Sequence, residues 1–360
     1  MIRVLLVDDS PSVRAVLRRF FSRTKDIQVV GEASDGAQAV QAVLDHLPQV
    51  VVMDLLMPVM DGYAAIERIM TLRPTPIVVL SSRANRNQMQ TAFEAIRRGA
   101  IEVLPKPEDT GSWEVLAESL PGTVRVAAEA HPRALPPPGP APPRRGAAGG
   151  LAGSGKGGGG GGGGDVGDAL RWVAIGASTG GPAAIRELLE EVPAAAPASF
   201  LVVQHIAVGF EVAFAEWLNK ELPLDVRVAR DGESPRHGAV RLAPAGAHLR
   251  LGRGGLLHLD GETPARRGHR PSADELFLSC AETSPRQSAG VLLTGMGTDG
   301  VEGLAALRRA GAMTMVQDEA SSVVFGMPRV ALERGAAELA QSPIELARTL
   351  AKRWRRREEA

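Results

Sequence analysis

The first 125 residues alternate short apolar runs with longer segments of mixed polarity. The mixed segments carry apolar residues at helical spacing, and the first of them opens with Ser10 as a candidate N-cap and Pro11 at the first helical position. The apolar runs are rich in β-branched residues and are followed by polar turns, which predicts buried parallel strands. These runs are 4–7, 27–30, 50–53, 77–80 and 101–104. Regular alternation of strand and helix predicts a doubly wound (βα)5 domain.

A second apolar pattern begins near residue 168. Runs at 172–175, 200–203 and 291–293 predict further buried strands, each followed by a turn and a helical segment. Between the second and third runs lies a Gly- and Arg-rich region that is typical of hairpins and loops. We therefore expect an α/β domain over 168–352 with a mainly parallel sheet and a β-hairpin region.

The two patterns are separated by a segment that cannot form a core. Residues 132–164 contain 7 Pro and 14 Gly, and end in eight consecutive glycines. Such a composition is typical of an extended, flexible linker. We place the domain boundaries at 1–125 and 168–352, with a linker over 126–167 that tethers two folded units, and a charged tail over 353–360.

Overall composition excludes several classes of protein. The 41 basic and 41 acidic side chains cancel, so no basic field favours nucleic acid. The single cysteine, Cys280, excludes internal disulfides and is interpreted as a buried small hydrophobe. The acidic start of the chain is unlike a signal peptide, and no apolar stretch is long enough to insert in a membrane. These features predict a cytoplasmic protein.

Polar side chains collect at the carboxyl ends of the predicted strands in the first unit. Asp8 and Asp9 follow the first strand, Asp54 the third, Ser81 the fourth and Lys106 the fifth. Read singly, the carboxylates are helix or loop caps and the lysine is a surface charge. Together at one sheet edge, the carboxylates predict a Mg²⁺ site and a phosphoryl acceptor.

The same residues resemble a response-regulator receiver domain. The resemblance rests on the segments 7–10, 53–58, 60–62 and 105–107. It implies that a histidine kinase phosphorylates Asp54, and that Mg²⁺ is held by Asp8 or Asp9, by Asp54 and by the carbonyl of Leu56. Ser81 and Lys106 would contact the phosphoryl group. One departure is Val103, which stands where receivers often carry an aromatic switch residue.

In the second unit, small residues surround one serine. The segment 176–182 places Ser178 in a G-x-S-x-G pattern between a strand and a helix, where a sharp turn would expose the hydroxyl. The pattern alone is weak, since the alternative is a helix N-cap, and no P-loop lysine accompanies it.

A serine nucleophile needs a base and an acid that orients the base. Of the seven histidines, only His205 directly follows a buried run, level with Ser178 in a parallel sheet. Asp299 lies in the glycine-lined turn after the third run and is the candidate orienting acid. Each residue singly could have a purely structural role.

These positions resemble the chemotaxis protein-glutamate methylesterases, the CheB family. The matching segments are 176–181, 204–205, 269–272, 293–300 and 324–328, in the family's domain order of receiver, linker and esterase. The resemblance implies that Ser178 is the nucleophile, His205 the general base and Asp299 its partner. Backbone N–H groups of Met296 and Thr179 would form the oxyanion hole. The esterase reaction would need no cofactor.

The implied function is hydrolysis of glutamate γ-methyl esters on chemoreceptors, with deamidation of receptor glutamines, under control of a CheA-type histidine kinase. The unphosphorylated receiver would cover the Ser178 cleft. One alternative is the same esterase serving a receptor array unrelated to motility, for which Leu56, where chemotaxis members often have an acid, is a hint. Another is a receiver adaptor or phosphate sink without catalysis. A DNA-binding output domain ranks last, because no basic recognition helix is evident.

Overall fold

The computed structural model describes residues 1–82, 86–107, 109–132 and 169–355. The first unit is a five-stranded parallel sheet in the order β2-β1-β3-β4-β5, which confirms the predicted receiver fold. Its strands are β1 (Ile2–Val7), β2 (Ile27–Ala33), β3 (Val50–Asp54), β4 (Ile77–Ser82) and β5 (Glu102–Lys106). Its helices are α1 (Pro11–Ser22), α2 (Gly36–His46), α3 (Gly62–Leu72), α4 (Arg86–Arg97) and α5 (Thr110–Ala128).

Local sequence signals fix where the receiver helices begin. The Ser10 hydroxyl accepts a hydrogen bond from the Val13 N–H, with Pro11 at the first helical position, so the predicted N-cap of α1 is confirmed. Asp61 caps α3 in the same way by accepting the Ala64 N–H at 2.8 Å. Helices α1 and α3 therefore begin after the strand ends that carry Asp8 and Asp54.

The second unit is built on a seven-stranded sheet in the order β14-β13-β12-β6-β7-β9-β8, and all of its strand pairs are parallel. A separate antiparallel hairpin, β10-β11, confirms the expected hairpin region. The strands are β6 (Trp172–Ala177), β7 (Ser199–Gln204), β8 (Asp225–Val228), β9 (Ala239–Leu242), β10 (His248–Leu251), β11 (Leu257–Asp260), β12 (Ser288–Leu292), β13 (Met313–Gln317) and β14 (Leu339–Gln341).

Helices cover both faces of this sheet, as expected for a parallel sheet that is buried on two sides. They are α6 (Gly181–Glu190), α7 (Glu211–Glu221), α8 (Ala273–Thr283), α9 (Val301–Arg309), α10 (Met327–Glu333) and α11 (Pro343–Arg355). The central strands are fully buried, for example Ile175 on β6 and Val202 on β7. Within the described residues, no helix is both long and apolar enough to cross a membrane.

The two units pack directly against each other. The ring of Phe93 on α4 lies 5.3 Å from Phe214 and 5.8 Å from Trp217 on α7, measured between ring centroids. On the other side, Val324 joins an apolar cluster that includes Leu120 of α5. The sequence predicts tethered units, and the structure adds an apolar interface between them.

The helix ends do not coincide with the boundaries expected from sequence. Helix α5 continues to Ala128, three residues past position 125, and α11 continues to Arg355, three residues past position 352. Within the predicted linker, residues 133–167 lie outside the described residues, and so do residues 356–360 of the predicted tail.

Candidate active sites at the carboxyl ends of the strands

Three strand ends of the receiver bring two carboxylates and a lysine into contact. The Lys106 Nζ lies 2.7 Å from Asp8 Oδ2 and 2.8 Å from Asp54 Oδ2. Asp8 directly follows β1, Asp54 is the last residue of β3, and Lys106 is the last residue of β5. The buried Ser81 lies beside them on β4, one residue before the partner of Lys106 in the strand register.

Burial and ion pairing set the charges of this group. Burial raises the pKa of Asp8, and the hydrogen bond from Lys106 offsets this only in part. Burial also disfavours the charge on Lys106, but its hydrogen bonds to Asp54 and Asp8 together raise the pKa of the ammonium group. Lys106 is therefore a permanent cation at neutral pH.

The donor set fits a hard divalent cation. Asp8, Asp9 and Asp54 each offer a carboxylate oxygen, and these three atoms lie within 4.8 Å of one another. Asp9 is exposed, so one side of the group is open to solvent. Oxygen ligands at this spacing are what Mg²⁺ prefers. Leu56 lies in the loop after β3, and because its side chain has no ligand atom, only its backbone carbonyl could contribute.

In the second unit, Ser178 occupies a sharp turn between β6 and α6. Gly180 in this turn has φ +77°, and a Cβ there would come within 2.5 Å of the Val323 side chain. The turn therefore requires glycine for both conformation and space. Register pairing of Ala177 with Gln204 places Ser178 level with His205, and the His205 N–H donates to the Ala177 carbonyl.

His205 and Asp299 form a direct hydrogen bond. The distance from His205 Nε2 to Asp299 Oδ2 is 2.8 Å. The other ring nitrogen, Nδ1, is buried and has no hydrogen-bond partner among the described residues. Since Asp299 holds Nε2, this Nδ1 is the atom available to accept a proton. Among the described residues, no hydrogen bond joins Ser178 Oγ to this nitrogen.

Asp299 is held charged at the N-terminal end of α8. Burial opposes ionisation, but hydrogen bonds from His205, from the Ser272 hydroxyl at 2.5 Å and from the Ala273 N–H at 2.7 Å bring the pKa of Asp299 to about 2. The Asp274 N–H adds a longer contact of 3.2 Å. A carboxylate with these donors orients an imidazole without taking up its proton.

The two candidate oxyanion donors flank the serine. Thr179 follows Ser178 directly, and a Cβ at Gly295 would come within 2.6 Å of the Ser178 Cβ, which places Met296 close by. Among the backbone hydrogen bonds of the described residues, none is donated by the N–H of Thr179 or of Met296. Two free N–H groups beside a serine could stabilise a tetrahedral oxyanion.

The Ser178 site opens into a cavity of about 660 Å³ that both units line. The esterase-like unit contributes Ser178, Thr179, His205 and 206–208, and the receiver contributes Glu102, Lys106 and apolar side chains of β5 and α5. The receiver therefore covers the approach to the serine. The sequence predicts this cover only through the family resemblance.

Sequence reasoning missed Glu102, a buried acid at this junction. Its side chain is 8% exposed and hydrogen-bonds with Thr179. Burial raises the pKa of Glu102 to about 8, against the lowering effect of the Val103 N–H and of Thr179. Glu102 is the first residue of β5, and from the sequence it is indistinguishable from an exposed acid at a strand end. Only its position against the second unit shows that it is buried.

The fold and its two sites define the class of protein: a response-regulator receiver joined to an α/β unit with a serine, a histidine and an aspartate that follow three neighbouring strands of its sheet. Residues 4–115 match the response regulator receiver domain, and residues 173–350 match the CheB methylesterase family. The chain belongs to the CheB family of methylesterases, which are carboxylic ester hydrolases.

Relatives match along nearly the whole chain. A protein-glutamate methylesterase/protein-glutamine glutaminase 3 of Anaeromyxobacter dehalogenans is 41% identical over 99% of this chain and 100% of its own length. The methylesterase/glutaminase of Bordetella pertussis is 42% identical over 94% of this chain and 93% of its own. Among solved structures, the Thermotoga maritima CheB catalytic domain is 33% identical, covering 51% of this chain and 97% of that domain, with a TM-score of 0.49.

Proposed function

We propose that this chain hydrolyses glutamate γ-methyl esters on chemoreceptors, and deamidates receptor glutamines, through a Ser178 acyl-enzyme. The observation that carries the proposal is the 2.8 Å bond between His205 and a charged, buried Asp299, which leaves His205 Nδ1 free beside the serine turn. The names of the relatives supply the substrate class. We infer a cytoplasmic site of action from the composition, since a chain with one cysteine does not rely on internal disulfides.

The reaction begins when substrate binding brings the Ser178 hydroxyl to His205 Nδ1. Ser178 Oγ attacks the ester carbon while its proton passes to Nδ1, and Asp299 stabilises the imidazolium through Nε2. The N–H groups of Thr179 and Met296 hold the oxyanion, and each such donor contributes about 3 to 4 kcal/mol in related chemistry. The carbon–methoxy bond then breaks, and the Nδ1 proton leaves with methanol.

Water completes the cycle. His205 Nδ1 removes a proton from water as its oxygen attacks the glutamyl-serine ester, and the second tetrahedral species collapses with return of that proton to Ser178 Oγ. The receptor is left with an unesterified glutamate side chain. With a glutamine side chain the first leaving group is ammonia, and the later steps are the same.

Phosphorylation of Asp54 by a CheA-type histidine kinase is proposed to control this reaction. Mg²⁺, held by Asp8 or Asp9, by Asp54 and by the Leu56 carbonyl, would neutralise charge between the carboxylates and the incoming phosphoryl group. Lys106 and Ser81 would then bind phosphoryl oxygens. Because Lys106 pairs with Asp54, its transfer to the phosphoryl group would move a side chain at the end of β5, the strand that also lines the Ser178 cavity.

The test is methanol release from methyl-labelled chemoreceptor membranes, measured with and without a small-molecule phosphodonor and Mg²⁺. We expect release to rise severalfold with the phosphodonor. The Asp54→Asn variant should keep the basal rate and lose the rise, because the amide is not phosphorylated. Asp45→Asn, an exposed substitution on α2, should respond like the unsubstituted protein.

Each outcome bears on the proposal. Stimulation that survives Asp54→Asn would contradict control through Asp54. Phosphate uptake on Asp54 with no methanol release from any receptor preparation would contradict the esterase and favour a receiver adaptor.

The burial of Glu102 predicts that receiver control weakens as pH rises. The ordinary pKa of a glutamate is 4.5 and that of Glu102 under the cover is about 8. The contribution of Glu102 to the stability of the covered arrangement is therefore fully present below pH 4.5 and is lost as the pH rises to about 8. Lys106, Asp109 and His205 are the other ionisable groups that line the same cavity. We expect the ratio of phosphorylated to unphosphorylated rates to fall over this range.

The matched variants are Glu102→Gln and Glu118→Gln. Glutamine cannot ionise, so Glu102→Gln should make the ratio nearly independent of pH, whereas the exposed Glu118 on α5 should leave the pH dependence unchanged. Equal pH dependence in all three proteins would show that Glu102 does not control the cover.

A further inference from the structure

The loop between β11 and α8 brings a second imidazole onto the general base. The rings of His269 and His205 are parallel within 2°, with centroids 3.8 Å apart. The loop holds His269 in place through a tight turn, in which Arg266 and His269 exchange two backbone hydrogen bonds of 3.0 and 2.9 Å. One face of the His205 ring is therefore covered, and its Nδ1 edge remains available.

Three residues later, the same loop holds the orienting acid. Ser272 is fully buried, and its hydroxyl donates to Asp299 Oδ1 at 2.5 Å. This leaves Oδ2, the oxygen that faces His205, as the acceptor for Nε2. The Ser272 hydroxyl therefore acts with the backbone N–H groups of Ala273 and Asp274 to set the rotation of the Asp299 carboxylate.

Ser272 is itself fixed by a buried histidine. The Ser272 N–H donates to His248 Nδ1 at 3.2 Å, so Nδ1 is an acceptor and the other nitrogen carries the proton. That nitrogen, Nε2, contacts the Pro264 carbonyl at 3.2 Å. His248 is completely buried. A continuous set of contacts therefore extends from the hairpin loop to the general base.

We propose that His269 and Ser272 are positioning residues of the esterase site: Ser272 fixes the Asp299 carboxylate, and His269 holds the ring plane of His205. This inference rests on the proposed function for its reaction. Neither residue needs to touch the substrate, and no role for them follows from the strand-end pattern that reveals Ser178, His205 and Asp299.

The electrostatics of the stacked pair support this role. Burial lowers the pKa of His269, and the neighbouring His205 lowers it further, against the opposite effect of Asp299. A neutral ring in van der Waals contact can hold the general base without repelling the imidazolium that forms during the reaction. A cation at the same position would oppose proton transfer to His205.

The test compares matched substitutions in the full-length protein. We expect Ser272→Ala and His269→Ala to lower kcat by about tenfold to a hundredfold with KM changed by less than about threefold, as when residues that orient a catalytic group are removed. Ser272→Thr restores the hydroxyl and His269→Phe restores a flat ring, so both should recover most of the loss. His258→Ala is the control, because that side chain is 63% exposed and pairs with Asp231 away from the site.

A readout independent of the receptor reaction separates this inference from the proposed function. The His205 Nε2 proton, bonded to a carboxylate, should give a downfield proton resonance, and labelling of Ser178 by a fluorophosphonate should follow the same order of variants as kcat. Loss of the resonance in Ser272→Ala, with an unchanged melting temperature, supports positioning.

Two results would overturn the inference. One is equal labelling and an equal resonance in all of the variants, and the other is His269→Phe as impaired as His269→Ala. If labelling follows the expected order while receptors release no methanol, the proposed substrate is wrong and the positioning roles stand.

Discussion

Replacing Ser178 with alanine is expected to lower methanol release by about four to six orders of magnitude, the range seen when a hydrolase loses its nucleophile. The substitution removes the hydroxyl oxygen that forms the acyl-enzyme in the proposed mechanism, together with the proton that His205 would accept. The turn itself should persist, because Ser178 enters it through backbone contacts: its N–H donates to the Thr294 carbonyl at 3.0 Å. Release of labelled methanol and the melting temperature are the two measurements.

The matched control is Ser284→Ala. Helix α8 begins beside Asp299 at Ala273, and Ser284 follows its other end, eleven residues later. This separation corresponds to about 16 Å along the helix axis. It should keep the full rate. A Ser178→Ala protein that retains more than about a hundredth of the activity would require another nucleophile, since water catalysis by the remaining groups is far slower.

Asp299→Asn is expected to cost about two to four orders of magnitude in kcat, the upper figure being that of a related triad. Four groups donate hydrogen bonds to this carboxylate. An asparagine has only one acceptor oxygen, so its NH2 group, itself a donor, would have to point at one of the other donors. If the amide faces His205, Nε2 becomes the acceptor and the proton moves to Nδ1, the atom that must be free. The rate and its pH dependence are measured together.

The exposed Asp231→Asn is the control for charge alone. Because the pKa of Asp299 is about 2, the aspartate stays ionised throughout the usual assay range, and loss of activity on mild acidification should not reflect its protonation. A rate for Asp299→Asn within about threefold of the unsubstituted protein would contradict the orienting role.

Much of the fold and of both sites is predictable because parallel sheets convert sequence order into proximity. Each apolar run ends at the same edge of its sheet, so Asp54 and Lys106 meet although 52 residues separate them. The same rule brings His205 to Asp299 across 94 residues. The position of a strand end does not depend on the path of the loops, so the proximity of these side chains can be predicted from the sequence.

The residues that were missed lie where that rule gives no information. Ser272 and His269 reach the site from a loop, and the path of a loop depends on tertiary contacts that local pattern does not encode. Glu102 is a receiver acid whose burial depends on a second unit. The middle region is also only partly predicted, since β9 joins the parallel sheet while β10 and β11 form the hairpin.

The cavity shared by the two units has a pharmacological consequence. A volume of about 660 Å³ is within the range that drug-sized ligands occupy. A compound bound there would contact both units at once. Because it would bind the covered form and not the open one, it would stabilise the covered form by mass action. If phosphorylation weakens the covered form, as proposed, linkage requires that it lower the affinity of the compound by the same factor. Such an inhibitor would select resting enzyme and spare activated enzyme.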